Sequence, residues 1–168
     1  MPHNIKIPNY VTERIIAKRG KLEVFDRFEA AKTAFLVIDM QNFYVAEVDT
    51  AISIVPNINR IATACREKGV PVIWVIMTVA DEVGAPSQWR LYHEYFFTDA
   101  KGKNHLTQLS EGHKGHELYP DLDVKDGEQI VHKKRFSPFI IGSSDLHDRL
   151  QEKGIENLIV AGTATNMC

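Results

Sequence analysis

The sequence predicts an α/β protein with a three-layer α/β/α, Rossmann-like architecture and a mostly parallel sheet. Strand patterns alternate with helical patterns along the 168 residues, as in sheets with helices on both faces. Residues 34–38 and 72–77 are continuous apolar runs, which indicates strands that are buried on both sides. A helical pattern lies between these two runs, and the sequence therefore predicts a right-handed βαβ unit.

The clearest predicted strand covers residues 33–38 and leads without a break into Asp39. In α/β folds, groups that bind ligands or catalyse reactions lie just beyond the carboxyl ends of the strands. Asp39 is therefore a candidate functional residue, with a helix N-cap or turn aspartate as the alternative interpretation.

An amphipathic helix is predicted to follow, over residues 53–68. Its apolar positions recur at spacings of four, three and four residues: Ile54, Ile58, Ile61 and Cys65. Because Pro56 is tolerated only in the first turn of a helix, we expect the helix to begin near Ser53. Cys65 lies on the apolar face and is interpreted as a core residue.

After the second strand, residues 78–126 are irregular and contain an aromatic cluster that includes Trp89, Tyr92 and Phe97. A long segment of this kind is expected to be a lid or a binding segment; an insertion that packs against another subunit is the alternative. A short third strand over residues 128–132 is followed by Lys133 and Lys134. A helix over residues 145–153 and a fourth strand then lead to Cys168.

The chain is predicted to contain one domain over residues 33–168, preceded by an N-terminal arm and a short helix over residues 1–32. Hydrophobic residues make up 44% of the sequence and charged residues 25%, with a formal net charge of -2. This charge favours neither nucleic acid nor a membrane surface as a partner, and no apolar run is long enough to span a membrane. Two cysteines do not suggest a disulfide framework, so we expect a cytoplasmic protein.

Three strand ends carry reactive side chains: Asp39, one of the lysines 133 and 134, and Cys168. In a parallel sheet the carboxyl ends of the strands share one edge, so these groups can converge. An ammonium group stabilises a thiolate, and a carboxylate can accept the thiol proton and later donate it to a leaving amine. The pattern indicates a cysteine hydrolase.

Three motifs resemble those of the isochorismatase-like cysteine hydrolases, in the branch of N-carbamoylsarcosine amidase and ureidoacrylate hydrolase. They are Phe-Leu-Val-Ile-Asp-Met-Gln-Asn at 35–42, Lys-Lys-Arg-Phe-Ser-Pro-Phe at 133–139 and Gly-Thr-Ala-Thr-Asn-Met-Cys at 162–168. The resemblance implies a catalytic triad of Asp39, Lys133 and Cys168. It also implies a cis peptide bond between Thr163 and Ala164 and an oxyanion hole formed by the N–H groups of Ala164 and Cys168.

Further site residues are expected from the same motifs and strands. The candidates for substrate binding are Gln41, Tyr44, Trp74 and Phe136; for the three aromatic residues, plain core packing is the alternative. The segment after the second strand lacks the Asp-x-His-x-His pattern of metal-binding nicotinamidases, so we expect no metal and no cofactor. His113 and His116 are interpreted as parts of a solvated loop.

Two departures from the family pattern stand out. Pro138 occupies a position where alanine is usual, which stiffens the segment after the lysine. Family members continue after the cysteine with further strands and helices, so we expect the natural polypeptide to be longer than these 168 residues, with the hydrolase domain incomplete at its C-terminus.

The resemblance implies hydrolysis of a C–N bond in a small amide, carbamoyl or ureido compound through a thioester acyl-enzyme. Two alternatives stay open: an isochorismatase-type hydrolase of a vinyl ether, and an inactive member that serves as a binding or assembly module. The expected partners are a small-molecule substrate and further copies of the chain, in a homodimer or homotetramer.

Overall fold

Four parallel strands form the sheet at the centre of the computed structural model, which describes residues 6–164 and 167–168. The strands are β1 (Thr33–Ile38), β2 (Val72–Met77), β3 (Gln129–Lys133) and β4 (Asn157–Gly162). Their order in the sheet is β3-β2-β1-β4. The chain thus moves outward from β1 through β2 to β3 and then returns to the other side of β1. The predicted α/β fold with a parallel sheet is confirmed.

Six α-helices are seen in the described ranges: α1 (Asn9–Arg19), α2 (Asn42–Val45), α3 (Asp49–Glu67), α4 (Arg90–Tyr95), α5 (Asp99–Gln108) and α6 (Leu146–Glu152). Alternate residues of β1 face opposite layers. Phe35 and Val37 pack against α3, whereas Leu36 and Ile38 share a cluster with Leu150 of α6. Because both faces of the sheet are covered, every residue of its two inner strands is buried, and all but Thr33 are apolar.

Helix α3 differs from its prediction in two ways. It begins at Asp49, one turn before Ser53, so Pro56 lies inside the helix. The proline is on the exposed side, where water can replace the backbone hydrogen bond that it removes. Two of the four predicted face residues, Ile58 and Cys65, are buried, and the other buried positions are Ala51, Val55 and Ala62. Ile54 and Ile61 are only half-buried.

The segment between β2 and β3 contains more regular structure than the sequence indicated. Helices α4 and α5 lie there, together with a 3₁₀ turn at Lys114–His116. At the N-terminus, α1 ends at Gly20, whose left-handed backbone forms the C-cap, and none of its residues is buried. Among the described residues, no helix combines the length and the apolar character that a membrane span requires.

Candidate active site

The position of the candidate site follows from the strand order. β2 and β3 are added on one side of β1 and β4 on the other, so the order of strand addition reverses between the neighbouring parallel strands β1 and β4. In open α/β sheets, a crevice forms outside the carboxyl ends of the strands at such a reversal. Asp39 directly follows β1, and residues 163–168 directly follow β4.

Gly162 brings the ends of these two strands into close contact. Its φ is +134°, and a Cβ atom at this position would lie 2.0 Å from the carbonyl oxygen of Ile38. No other residue type fits that approach. The next residue, Thr163, donates its N–H to Ile38 O at 3.1 Å and its hydroxyl to Asp39 O at 2.9 Å. The turn that leads to the cysteine is therefore fixed to the residue that carries the carboxylate.

Asp39 is 1% exposed and has a φ of +54°, a left-handed conformation that aspartate tolerates better than most residues. Its Oδ2 lies 3.0 Å from Nζ of Lys133. Neither carboxylate oxygen accepts a well-aligned hydrogen bond from the described residues. The contact with the ammonium group is thus an ion pair by distance, and the carboxylate keeps accepting capacity for other groups.

Lys133 is the last residue of β3, and its side chain is completely buried. Besides the carboxylate, its ammonium group contacts the Cys168 Sγ at 3.6 Å, the Met77 Sδ at 3.6 Å and the Arg135 carbonyl oxygen at 3.3 Å. Lys134 lies outside this cluster, beside Ser143. The strand position left both lysines open as candidates, and the structure brings Lys133 to Asp39 and Cys168.

Burial governs the ionisation of the other two groups. It raises the pKa of the Asp39 carboxyl, and the nearby Lys133 ammonium only partly opposes this rise. Burial and the negative charge of Asp39 together raise the pKa of the Cys168 thiol to about 11, against the opposing effect of Lys133. At neutral pH the thiol is therefore protonated, and it lies beside a carboxylate that is more basic than usual.

A cavity of about 260 Å³ opens over the thiol. Its walls are mostly aromatic and apolar, and its lining residues include Phe43, Tyr44, Met77, Tyr92, Phe97, His105 and Phe136. A wider groove of about 600 Å³ lies between α2 and α5, but it contains none of the three reactive residues. The smaller cavity is the candidate site because it holds both Lys133 and Cys168.

Two of the four candidates for substrate binding line the cavity and two do not. Tyr44 and Phe136 line the cavity, whereas Trp74 and Gln41 do not. Trp74 is fully buried in the core beneath α3 and donates its Nε1–H to Glu128 at 2.8 Å. The expectation of a pocket wall at Trp74 is therefore wrong, because the residue lies in the middle of β2 and faces the other layer.

Gln41 acts as a cross-link in the structure. Its amide donates to the carbonyl oxygens of Met77 at 3.0 Å and His116 at 2.8 Å, and its Oε1 accepts the Met77 N–H at 2.7 Å. All three of these hydrogen bonds go to backbone groups, and the completely buried side chain does not line the cavity. The expectation that Gln41 contacts substrate is therefore wrong. The side chain instead holds the backbone of Met77 in place.

The turn before the cysteine also departs from the expectation. No peptide bond within the described ranges is cis, so the bond between Thr163 and Ala164 is trans; Ala164 makes the turn instead with a φ of +54°. The N–H groups of Met167 and Cys168 donate to the Ala164 carbonyl oxygen at 2.8 and 3.0 Å. The oxyanion role of the Cys168 N–H stays a prediction that requires this hydrogen bond to open. Thr165 and Asn166 of the motif lie outside the described residues.

Several cavity residues were not expected from the sequence. Met77 is the last residue of the second predicted strand and Phe43 follows the first, and their positions near strand ends are the signal that could have indicated them. Phe97 and His105 come from the segment between β2 and β3. Only the aromatic composition of that segment suggested a binding role, and nothing in the pattern pointed to His105.

Comparison with known proteins gives a consistent result. A family model for the isochorismatase domain matches residues 33–168. A probable inactive nicotinamidase of Arabidopsis thaliana is 36% identical over 143 residues, covering 81% of this chain and 68% of the relative. The ureidoacrylate amidohydrolase RutB of Pseudomonas syringae pv. syringae is 30% identical over 159 residues, covering 84% of this chain and 63% of the relative.

A solved structure agrees with this match. The crystal structure of a cysteine hydrolase from Pseudomonas syringae pv. phaseolicola superposes with a TM-score of 0.69 and 25% identity, covering 84% of this chain and 63% of the other. The chain thus spans about two thirds of the length of the proteins that it matches.

Proposed function

Because the chain belongs to the isochorismatase family, we propose that it is a cysteine-dependent hydrolase that cleaves the C–N bond of a small amide, carbamoyl or ureido compound. The observation that carries this proposal is the contact of the Lys133 ammonium group with both the Asp39 carboxylate and the Cys168 thiol, at the floor of a small cavity. The amidohydrolase among the relatives supports the same class of reaction.

In the first half of the reaction, the Cys168 Sγ attacks the carbonyl carbon while its proton moves to Asp39. The elevated pKa of Asp39 makes this carboxylate an effective base for that transfer. The Lys133 ammonium group stabilises the developing thiolate at 3.6 Å. The tetrahedral intermediate then collapses: the C–N bond breaks, Asp39 returns the proton to the leaving nitrogen, and a thioester remains on Cys168.

In the second half, Asp39 removes a proton from water as the water oxygen attacks the thioester carbon. The C–S bond breaks, and the sulfur regains a proton through Asp39. The products are ammonia or an amine and a carboxylic or carbamic acid. Because one carboxyl group acts first as base and then as acid in each half, a pKa above the ordinary aspartate value suits both tasks.

The cavity supports a particular substrate class. Its volume lies at the small end of ligand sites, and its walls offer aromatic rings for a flat acyl group. Among the described lining residues, Lys133 is the one lysine, arginine, aspartate or glutamate, and it already pairs with Asp39. The described walls therefore favour an uncharged amide with a flat, apolar acyl group over a substrate with its own carboxylate.

A catalytically inactive binding protein is the second candidate. The bond from the Cys168 N–H to the Ala164 carbonyl oxygen favours it, since that N–H is occupied and would otherwise stabilise an oxyanion. The inactive nicotinamidase among the relatives is consistent with such a role.

Ammonia release from a panel of small primary amides and ureides separates the two candidates. We expect release by the wild type and a loss on the order of 10³-fold or more in Cys168→Ala. Cys65→Ala is the matched control, because Cys65 lies in the core beneath α3, and it should keep most of the activity. Full activity in Cys168→Ala would overturn covalent catalysis, and tight amide binding without any turnover would favour the inactive candidate.

A further inference from the structure

A pair of hydrogen-bonded histidines forms part of the cavity wall. His105 of α5 lines the cavity, and its Nδ1 lies 2.8 Å from the Nε2 of His93 in α4. Both rings are mostly buried. The Nδ1 of His93 in turn lies 3.1 Å from the Trp89 carbonyl oxygen and 2.6 Å from the Ser87 Oγ. The chain of contacts runs from a backbone carbonyl to the substrate cavity.

The backbone carbonyl favours one of the two neutral tautomers of His93. The Trp89 oxygen can only accept, so a hydrogen bond from His93 to this oxygen places the proton on Nδ1. The Ser87 Oγ fits either tautomer, because a hydroxyl can accept from an N–H or donate to a bare nitrogen. The tautomer with the proton on Nδ1 is the one that also satisfies the Trp89 oxygen. With the proton on Nδ1, the Nε2 of His93 is bare and accepts the Nδ1–H of His105.

The last nitrogen of the chain is then the Nε2 of His105. Burial, together with the charges of His93 and Lys133, lowers the pKa of His105 to about 4, so the ring is neutral at pH 7. A neutral ring that is protonated on Nδ1 has an unprotonated Nε2. This atom has no hydrogen-bond partner in residues 6–164 and 167–168. It is also not completely buried. It is a hydrogen-bond acceptor without a described partner, on a ring that lines the cavity.

We propose that His105 is a specificity-determining residue that accepts a hydrogen bond from the leaving nitrogen of the substrate. His93 is the positioning residue that holds the accepting tautomer. This inference rests on the proposed amide hydrolysis and names the group that distinguishes an amide from an ester at the same site.

The chemistry of the leaving group supports this assignment. His105 and Lys133 line the same cavity, and Lys133 pairs with Asp39, the group that protonates the leaving nitrogen in the proposed reaction. An –NH₂ group there can donate one N–H to the His105 Nε2 and turn its lone pair toward the protonated Asp39. An ester oxygen has no hydrogen to donate, and it would leave the bare Nε2 facing another lone pair at a desolvated site.

The first test is independent of turnover. In protein labelled with ¹⁵N-histidine, spectra that correlate ring nitrogens with ring protons distinguish protonated from bare nitrogens. At pH 7 we expect a bare Nε2 and a protonated Nδ1 in His105, with the signals assigned by their loss in His105→Phe. His93→Phe should give His105 signals that average the two tautomers, and His147→Gln, a change at an exposed residue of α6, should leave them unchanged. A protonated Nε2 in the wild type would overturn the proposal.

The second test compares primary amides with the methyl esters of the same acids. We expect the ratio of kcat/KM for amide over ester to fall about tenfold to a hundredfold in His105→Phe and by a smaller factor in His93→Phe. An unchanged ratio in His105→Phe would overturn the specificity role even if the wild type hydrolyses amides. If the wild type cleaves neither compound, the proposed function fails and the specificity role falls with it, while the tautomer measurement still decides the state of the ring.

Discussion

Two clusters of charged side chains lie at opposite edges of the same sheet and are satisfied in different ways. At the amino ends of the strands, Arg66 donates to Glu128 at 2.7 Å and to Asp123 at 2.9 Å. Glu128 also accepts the Trp74 Nε1–H and the Lys125 N–H. Every group in this cluster has well-aligned partners, and the cluster is partly exposed.

At the carboxyl ends, Asp39 and Lys133 are almost completely buried, and the carboxylate accepts no well-aligned hydrogen bond from the described residues. Buried charges are costly unless their hydrogen bonds are satisfied. The first cluster therefore stabilises the fold, whereas the second keeps unused hydrogen-bonding capacity at a cavity. Such groups with shifted pKa values are characteristic of sites of chemistry.

The largest expected difference between the clusters is in activity. Asp39→Asn removes the base while keeping the shape and the left-handed backbone, so ammonia release should fall by about 10² to 10⁴-fold. Arg66→Met, at the other edge of the sheet, should change kcat/KM by only a few-fold. Comparable losses in the two variants would remove the functional distinction between the clusters.

The two clusters should also differ in whether a second substitution recovers the lost stability. Lys133→Met leaves a buried carboxylate unpaired and should cost about 3–5 kcal/mol in urea unfolding. Adding Asp39→Asn should restore wild-type stability or exceed it, because the double change removes both buried charges. At the other cluster, Arg66→Met should cost about 1–3 kcal/mol, and adding Glu128→Gln should not recover it, since the amide accepts the remaining N–H donors less strongly. A double variant of the Asp39–Lys133 pair that stays as unstable as Lys133→Met would contradict this account.

The rate at which Cys168 is alkylated tests how the Asp39 carboxylate affects the thiol. The negative charge of Asp39 helps to raise the pKa of Cys168 to about 11, so the thiolate fraction at pH 8 is small and grows as the pH rises. Asp39→Asn removes that charge and lowers the pKa, and alkylation of Cys168 by iodoacetamide at pH 8 should accelerate about tenfold for each unit of the change. Both proteins should carry Cys65→Ala, so that one thiol reacts. A slower reaction would show that Asp39 activates the thiol in the resting state.

The smallest expected effect concerns Trp74. Trp74→Phe removes one hydrogen bond to Glu128 and should lower the free energy of unfolding by about 1 kcal/mol, with KM unchanged. Phe136→Ala, in the cavity wall, should raise KM instead. A raised KM in Trp74→Phe would restore the residue to the substrate site.

The sheet and its edge of reactive groups could be predicted because they depend on local pattern. Continuous apolar runs marked β1 and β2, and the shared edge of parallel strands predicted that Asp39 and Cys168 would meet. The same continuity explains the error at Trp74: in a strand that is buried on both faces, apolar residues on either side look alike. Only the packing of α3 against one face decides which layer Trp74 enters.

Other features depend on contacts that the sequence does not encode locally. Gln41 lies within the first motif, at 35–42, but its role is set by the backbone groups of Met77 and His116, which are distant in sequence. His105 reaches the cavity because α4 and α5 fold across the ends of the strands. The segment that carries it has a weak helical pattern, so neither the helix nor its position over the thiol was predictable.

The most direct test of the central claim is the acyl-enzyme itself. Acid quenching during turnover of a hydrolysed amide, followed by intact mass measurement and peptide mapping, should show an added acyl group on Cys168. The adduct should be absent in Cys168→Ala and should not appear on Cys65. Rapid amide hydrolysis without any adduct on Cys168, together with undiminished turnover in Cys168→Ala, would contradict covalent catalysis at this site.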